Sequence, residues 1–492
     1  MEKSFWEDVI KYIPSKLIPA IAGFLSLVIF TRFLTPEEYG LYNLIMTTNN
    51  ILIAIFIGWL SRASLRFFQK YKEEEKDDAF ISYLYLFVII IGLFVSLLYI
   101  FIINKVEIGF VSDNFLNLMS LGIWLILTKG LFELIINLNR AARNSMRYSL
   151  YQTIYSIGKI LIVLFLFHTT NMRIEAVLVS YILSELVVIG IEYFLLKKRG
   201  FILNINFCKL TNVFFEKTAR YGFPLVGVSL TALILSAGDK YLIQYFLGED
   251  QVGLYSASYR IGRMSLHSIF MLLMLAAFPI IINQYERKGE AEAARVIKKY
   301  IGYYFLLLTP SFFGIWALSK EITMLVLGEN YFSSFYILPL VSLGVYFQGL
   351  TMYINKVFEL KEKTIYLFFI IGVSALLNIL LNLFFIESYG IAGAAYSTVI
   401  AYLFYLIISY IFAIKIMRVL IPFATLFKSI IGSVVMLLTI MISKGFIFGE
   451  YSFYGFILNI VLGIITYLCV LYKLKDPYFN DVLNDIKELS IF

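Results

Sequence analysis

Residues 222–267, GFPLVGVSLTALILSAGDKYLIQYFLGEDQVGLYSASYRIGRMSLH, decide the fold. They read as two apolar helices joined by a short turn, with five ionisable side chains, Asp239, Lys240, Arg260, Arg263 and His267, inside the apolar runs. The turn repeats the beginning of the chain. Phe246-Leu-Gly-Glu-Asp-Gln-Val-Gly-Leu-Tyr255 aligns with Phe33-Leu-Thr-Pro-Glu-Glu-Tyr-Gly-Leu-Tyr42 at a constant shift of 213, with five of ten positions identical. The echo predicts a duplication: two halves of similar length, each opening with a helical hairpin.

Outward from this hairpin the chain is 60% hydrophobic and 15% charged over 492 residues. A soluble protein of this length cannot hide that much apolar side chain, so this is an integral membrane protein. Apolar runs of about 18–25 residues, the length that crosses a hydrocarbon core, recur fourteen times. They lie near 12–33, 41–60, 80–103, 115–137, 150–168, 174–196, 222–246, 253–283, 298–318, 331–354, 364–385, 390–413, 425–443 and 452–472. The runs are continuous and lack the alternation of a barrel strand, so the expected class is all-α with about 14 transmembrane helices.

Lysine and arginine check this count independently. Of 41, 29 fall in loops on the side of the N-terminus, 5 in loops on the other side and 7 within spans. A wrong count would scramble that alternation. The positive-inside rule then puts both termini in the cytoplasm, and the expected location is the cytoplasmic (inner) membrane. The net charge of +8 belongs to loops facing anionic membrane lipids rather than to a nucleic-acid site. The N-terminus, MEKSFWEDVIKYIPSK, lacks the features of a cleaved signal.

The long loop at 197–221 falls after the sixth span. It divides the chain into an N-terminal six-helix lobe with its linker (1–221), a C-terminal six-helix lobe (222–421), and helices 13 and 14 with a tail (422–492). The seventh span enters the membrane in the same direction as the first. The lobes are therefore expected as parallel repeats about an axis along the membrane normal, with a cleft between them.

Several chemistries are excluded or disfavoured. The chain has no GxxxxGK[ST] phosphate loop. Cys208 and Cys469 fit no disulfide or metal spacing, and two histidines are too few for a metal cluster. No cofactor or metal is predicted. The outer loops are too short for a membrane glycosyl-transferring enzyme, which argues for a non-enzyme.

What remains is polar residues inside spans. Ser256, Arg260, Arg263 and His267, spaced by four, three and four, make one helical stripe. Arg260 lies about 10 Å and Arg263 about 15 Å along the helix from Gly253, so Arg263 is near the midplane. The shift of 213 places Asn43, Thr47 and Asn50 opposite Ser256, Arg260 and Arg263. Two stripes facing one cleft, uncharged in the first half and cationic in the second, would suit a diphosphate or an acidic sugar. Alternatively, Arg260 pairs with Asp239 and only fixes helix packing; charges at such depth are costly and face either protein or water. Lys240 has the same two readings. Lys159 and Glu185 are either a structural ion pair or a coupling site. Lys129 and Glu133 are spaced for a self-contained i,i+4 pair. Lys16 either snorkels or guards the cytoplasmic mouth. Gln348, Thr351, Asn355, Asn378 and Asn382 read as interhelical hydrogen bonds.

Three stretches carry a family resemblance. Arg32-Phe-Leu-Thr-Pro-Glu-Glu-Tyr-Gly-Leu-Tyr42 resembles the first hairpin of the polysaccharide transporters in the multidrug/oligosaccharidyl-lipid/polysaccharide exporter superfamily. Gly238-Asp-Lys-Tyr-Leu-Ile243 with Val252-Gly-Leu-Tyr-Ser256 is similar to its seventh and eighth helices, and Asn378-Ile-Leu-Leu-Asn382 with Tyr389-Gly-Ile-Ala-Gly-Ala-Ala395 to its eleventh and twelfth. The resemblance implies two six-helix lobes in a V, as in the multidrug exporters. It also implies a flippase for undecaprenyl-diphosphate-linked oligosaccharide of the O-antigen repeat-unit (Wzx-like) type, working by alternating access. Arg260 and Arg263 would contact the diphosphate or sugar, and helices 13 and 14 would flank a groove for the prenyl tail. H⁺ or Na⁺ coupling and a polysaccharide polymerase as partner are left open by the same resemblance. Lipid II flippases and cation-coupled drug antiporters share the scaffold. The first helix here lacks the mid-membrane charges that lipid II flippases carry, while Asp239 and Glu185 leave ion coupling open.

Overall fold

The apolar runs fold as helices because a backbone in hydrocarbon must satisfy its own N–H and C=O groups. The computed structural model describes residues 2–105, 113–201, 207–446 and 453–489, with side chains described outside 2–17, 102–105, 113, 207–213, 224, 445–446 and 485–489. Two compact units emerge, Met1–Ala237 and Gly238–Phe492.

The first unit contains α1 (Glu2–Phe33), α2 (Pro36–Phe56), α3 (Gly58–Glu73), α4 (Asp77–Lys105), α5 (Asp113–Ala141), α6 (Ser145–Thr169), α7 (Ile174–Lys198) and α8 (Phe207–Ala237). The second contains α9 (Asp239–Leu247), α10 (Glu249–Lys288), α11 (Glu290–Ala317), α12 (Ser319–Val326), a 3-10 turn (Glu329–Ser334), α13 (Ile337–Leu360), α14 (Ile365–Tyr389), α15 (Ile391–Ile416), α16 (Phe423–Phe446), α17 (Phe453–Lys473) and α18 (Pro477–Leu489). Among the described residues, twelve helices are long and apolar enough to cross a membrane. They become thirteen when α2 and α3, bent by 49° between Phe56 and Gly58, count as one span. The described part of α1, Ile18–Phe33, is a shorter apolar helix at the place of the first expected span. The protein is thus an all-helical, multi-pass membrane protein of about the expected span count.

The two echoing hairpins turn by different means. Before α2, Thr35 forms a full capping box with Glu38, which satisfies two otherwise orphaned N–H groups. At the equivalent place before α10 stands Gly248 with φ +87°, a conformation that a side chain would oppose.

Two segments differ from the sequence reading. The expected loop at 61–79 is helical to Glu73, because Ser61, Ser64, Phe68 and Tyr71 recur at three- and four-residue spacing and bury one face. The seventh span starts earlier than expected, at Phe207, and breaks at Gly238. Its α8 portion packs in the first unit. Thr218 meets the Tyr83 hydroxyl at 2.9 Å, and Gly222 lies so close to Trp59 that a Cβ there would stand 2.7 Å from the Trp59 Cβ.

Candidate functional site

In the second unit, α9 and α10 collect the cations. Arg263 is exposed, Arg260 and His267 are half-buried, and Ser256 is buried, its hydroxyl without a partner among the described residues. The accessible part of the stripe therefore begins at Arg260. Lys240, on the first turn of α9, lies within electrostatic reach of both Arg263 and Arg260. The ring of His267 packs edge-on against Phe270 at 4.7 Å. Three cations thus share one side of the α9–α10 hairpin, an arrangement that attracts an anion with several negative oxygens.

Asp239, beside Lys240, is buried. Its Oδ2 accepts from the Tyr255 hydroxyl and from Thr398 of α15 at 3.5 Å, and its Oδ1 has no hydrogen-bond partner among the described residues. Nearby in sequence order on α14, Asn382 donates to Asn378 at 3.1 Å along the same helix. These two asparagines were expected to bond across helices. Instead each leaves one buried amide atom without a partner among the described residues. Asn355 does bond across, to the Tyr405 hydroxyl at 2.7 Å, whereas Thr351 back-bonds to Phe347.

The second unit also holds an apolar groove of about 640 Å³. It lies between α11, α16, α17 and α18, with Gly314, Met436, Ile464 and Phe479 among its walls. The Tyr467 hydroxyl donates to Leu306 O at 2.8 Å, so even the polar tip on this wall is satisfied.

In the first unit the uncharged stripe divides. Asn43 donates to Tyr39 O at 2.8 Å and Thr47 to Asn43 O at 2.7 Å, and both are buried. Asn50 is half-buried, and its Oδ1 accepts from Lys129 on α5. Lys129 therefore reaches another helix rather than pairing with Glu133, and this half carries a cation that the aligned stripe lacks. Glu185 is buried and its Oε2 accepts from Thr128 at 2.5 Å, while Oε1 has no hydrogen-bond partner among the described residues. Lys159 lies over the rings of Tyr155 and Tyr181, 5.3 and 5.1 Å from their centroids, and within electrostatic reach of Glu185. The Lys16 side chain lies outside the described residues.

Arg62 was not among the expected polar groups within spans, because the sequence reading put it in a loop. It stands on α3 and donates to Leu225 O at 2.8 Å and to Ser229 Oγ, both on α8. The three-and-four spacing of 61–71 was the signal that would have placed it on a helix.

The fold matches solved transporters. A lipid II flippase, MurJ, in an inward closed conformation superimposes with a TM-score of 0.77 at 18% identity, over 96% of this chain and 100% of that one. An inward-facing multidrug resistance MATE family transporter of the MOP superfamily gives 0.67 at 15% identity, over 82% and 97%. A putative O-antigen transporter of Shigella flexneri is 23% identical over 77% of this chain and 90% of its own. A probable low-salt glycan biosynthesis flippase, Agl15 of Haloferax volcanii, is 29% identical over 168 residues, 33% of this chain and only 34% of its own length. The class is therefore an all-helical membrane protein with the fold seen in these solved transporters. Within that class the chain belongs to the polysaccharide biosynthesis protein family, whose model matches residues 5–285.

Proposed function

We propose that this protein flips an undecaprenyl-diphosphate-linked oligosaccharide across the cytoplasmic membrane, with both termini in the cytoplasm. The observation that carries the reading is the cation set Lys240, Arg260 and Arg263 on one hairpin. A diphosphate needs several donors of positive charge at once, and this hairpin brings three of them together. The apolar groove beside α16 and α17 supports the second half of the substrate. Its volume is in the range of ligand pockets, about 300–1,000 Å³, and takes a length of prenyl chain rather than a sugar. The two six-helix lobes alternate access, and whichever lobe arrangement binds the loaded lipid more tightly is the one the substrate selects. H⁺ or Na⁺ coupling runs through Asp239 or Glu185, each of which has a buried carboxylate oxygen without a hydrogen-bond partner among the described residues.

The test is surface polysaccharide in a deletion strain complemented with Arg260→Ala or Arg263→Ala. Loss of polymer with normal membrane insertion is expected; normal polymer from both variants overturns the reading. The buried carboxylates also favour a second reading, a cation-coupled small-molecule antiporter. That reading requires the deletion to change drug sensitivity while polysaccharide stays intact.

A further inference from the structure

Four half-buried polar side chains of the first unit take no part in the cation set or the groove described above: Asn50 on α2, Arg62 on α3, and Lys129 and Glu133 on α5. The bend between α2 and α3 brings them to one place. Ile57, at the bend, packs on Gly130 of α5 so tightly that a Cβ on Gly130 would stand 2.7 Å from the Ile57 Cδ1. Asn50 precedes that contact and Arg62 follows it, while Lys129 and Glu133 flank it on α5. Lys129 is tied to Asn50, and Glu133 lies within electrostatic reach of Arg62.

Among the described residues, no direct ion pair links the charges in this group. Arg62 is held by neutral acceptors only, Leu225 O and Ser229 Oγ. Lys129 is held by a neutral amide. Among the described residues the Glu133 carboxylate makes neither an ion pair nor a hydrogen bond, and its electrostatic neighbours are Arg62, Tyr155 and Glu185. Glu133 is half-buried, and its carboxylate oxygens are open to a donor. An ammonium, a guanidinium, an amide and a free carboxylate offer donors and acceptors together. A diphosphate would be repelled by Glu133, whereas a sugar supplies hydroxyls that donate to it and accept from Lys129 and Arg62.

We propose that Asn50, Arg62, Lys129 and Glu133 form a glycan-reading half-site within the first unit, a set of groups that takes the hydroxyl-bearing sugar, one half of the substrate. The inference rests on the flippase reading above and adds to it the part that discriminates between glycans. Glu133 is the specificity-determining residue, because losing its charge removes acceptors that only the sugar uses.

The experiment measures binding to the purified full chain in nanodiscs with two probes. One is the lipid-linked oligosaccharide extracted from membranes of the source cells, and the other is undecaprenyl diphosphate, which has no sugar. Glu133→Gln and, independently, Asn50→Ala should weaken the first by about tenfold and change the second by less than about twofold. Arg263→Ala should weaken both. Unchanged binding of the sugar-bearing lipid by both first-unit variants, or equal loss for the two probes, overturns the half-site. If the native chain binds both probes equally, the half-site fails and the flippase reading stands. If it binds neither, the flippase reading itself fails.

Discussion

The hydroxyl of Tyr255 donates to the buried carboxylate of Asp239, sixteen residues earlier, and Thr398 reaches the same oxygen from α15. One carboxylate thereby joins the short helix that opens the second unit to the two long helices beside it. Asp239 and Lys240 are sequence neighbours that act on each other electrostatically; the aspartate also meets hydroxyls, and the lysine also lies within reach of two arginines.

Removing the Tyr255 hydroxyl tests the junction. Tyr255→Phe keeps the ring and leaves Asp239 with a weaker set of donors. A hydrogen bond to a charged group is worth about 1.5–3 kcal/mol, so the variant should melt several degrees below the native protein in detergent. An unchanged melting temperature would show that the bond does not hold α9 to α10.

Arg263 should separate stability from function. It is exposed, so Arg263→Ala should change stability by no more than about 0.5 kcal/mol. Affinity for undecaprenyl diphosphate in nanodiscs should nevertheless fall by about tenfold, the loss of one charge-assisted contact, and Arg263→Lys should recover part of it. Unchanged affinity in Arg263→Ala would remove this residue from the diphosphate site.

The groove is tested at Gly314. A Cβ there meets only Met436 Cε, at 3.9 Å, and Gly314 lines the groove, so Gly314→Leu places its bulk at the cavity wall. Melting should stay within about 1 kcal/mol of native, while surface polysaccharide falls because the prenyl chain is displaced. Normal polymer would show that the tail lies elsewhere.

Gly393 is the opposite case. A Cβ on it would stand 2.0 Å from Phe385 O and 2.3 Å from the carbonyl carbon. Backbone atoms cannot swing aside as a side chain does, so Gly393→Ala must separate α14 from α15. Overpacking of this kind costs about 1–3 kcal/mol or more, and reduced membrane yield with a lowered melting temperature is expected. A native-like melt would mean the two helices part without penalty.

Much of this was legible beforehand because hydrocarbon imposes simple rules. Span length, continuity and the alternation of lysine and arginine all act on one segment at a time. The cations of α10 were legible for the same reason, since their spacing is a property of one helix. Partners were less so. Lys129 and Glu133 have the spacing of an intrahelical pair, yet Lys129 bonds to Asn50, because the bend at Ile57 carries α2 close to α5. Asn378 and Asn382 were expected to bond to other helices, and they bond to each other one turn apart on α14.

From the residues alone came the membrane class, the approximate number of spans, the hairpin echo and the cationic stripe, all of which depend on local pattern in a uniform apolar solvent. Tertiary structure decided that α3 continues as a helix carrying Arg62 toward α8, that α8 packs in the first unit, and which polar group each buried charge meets. Those outcomes depend on helix rotation and bend. A change of a few tens of degrees exchanges one neighbour for another while leaving the pattern along the chain untouched.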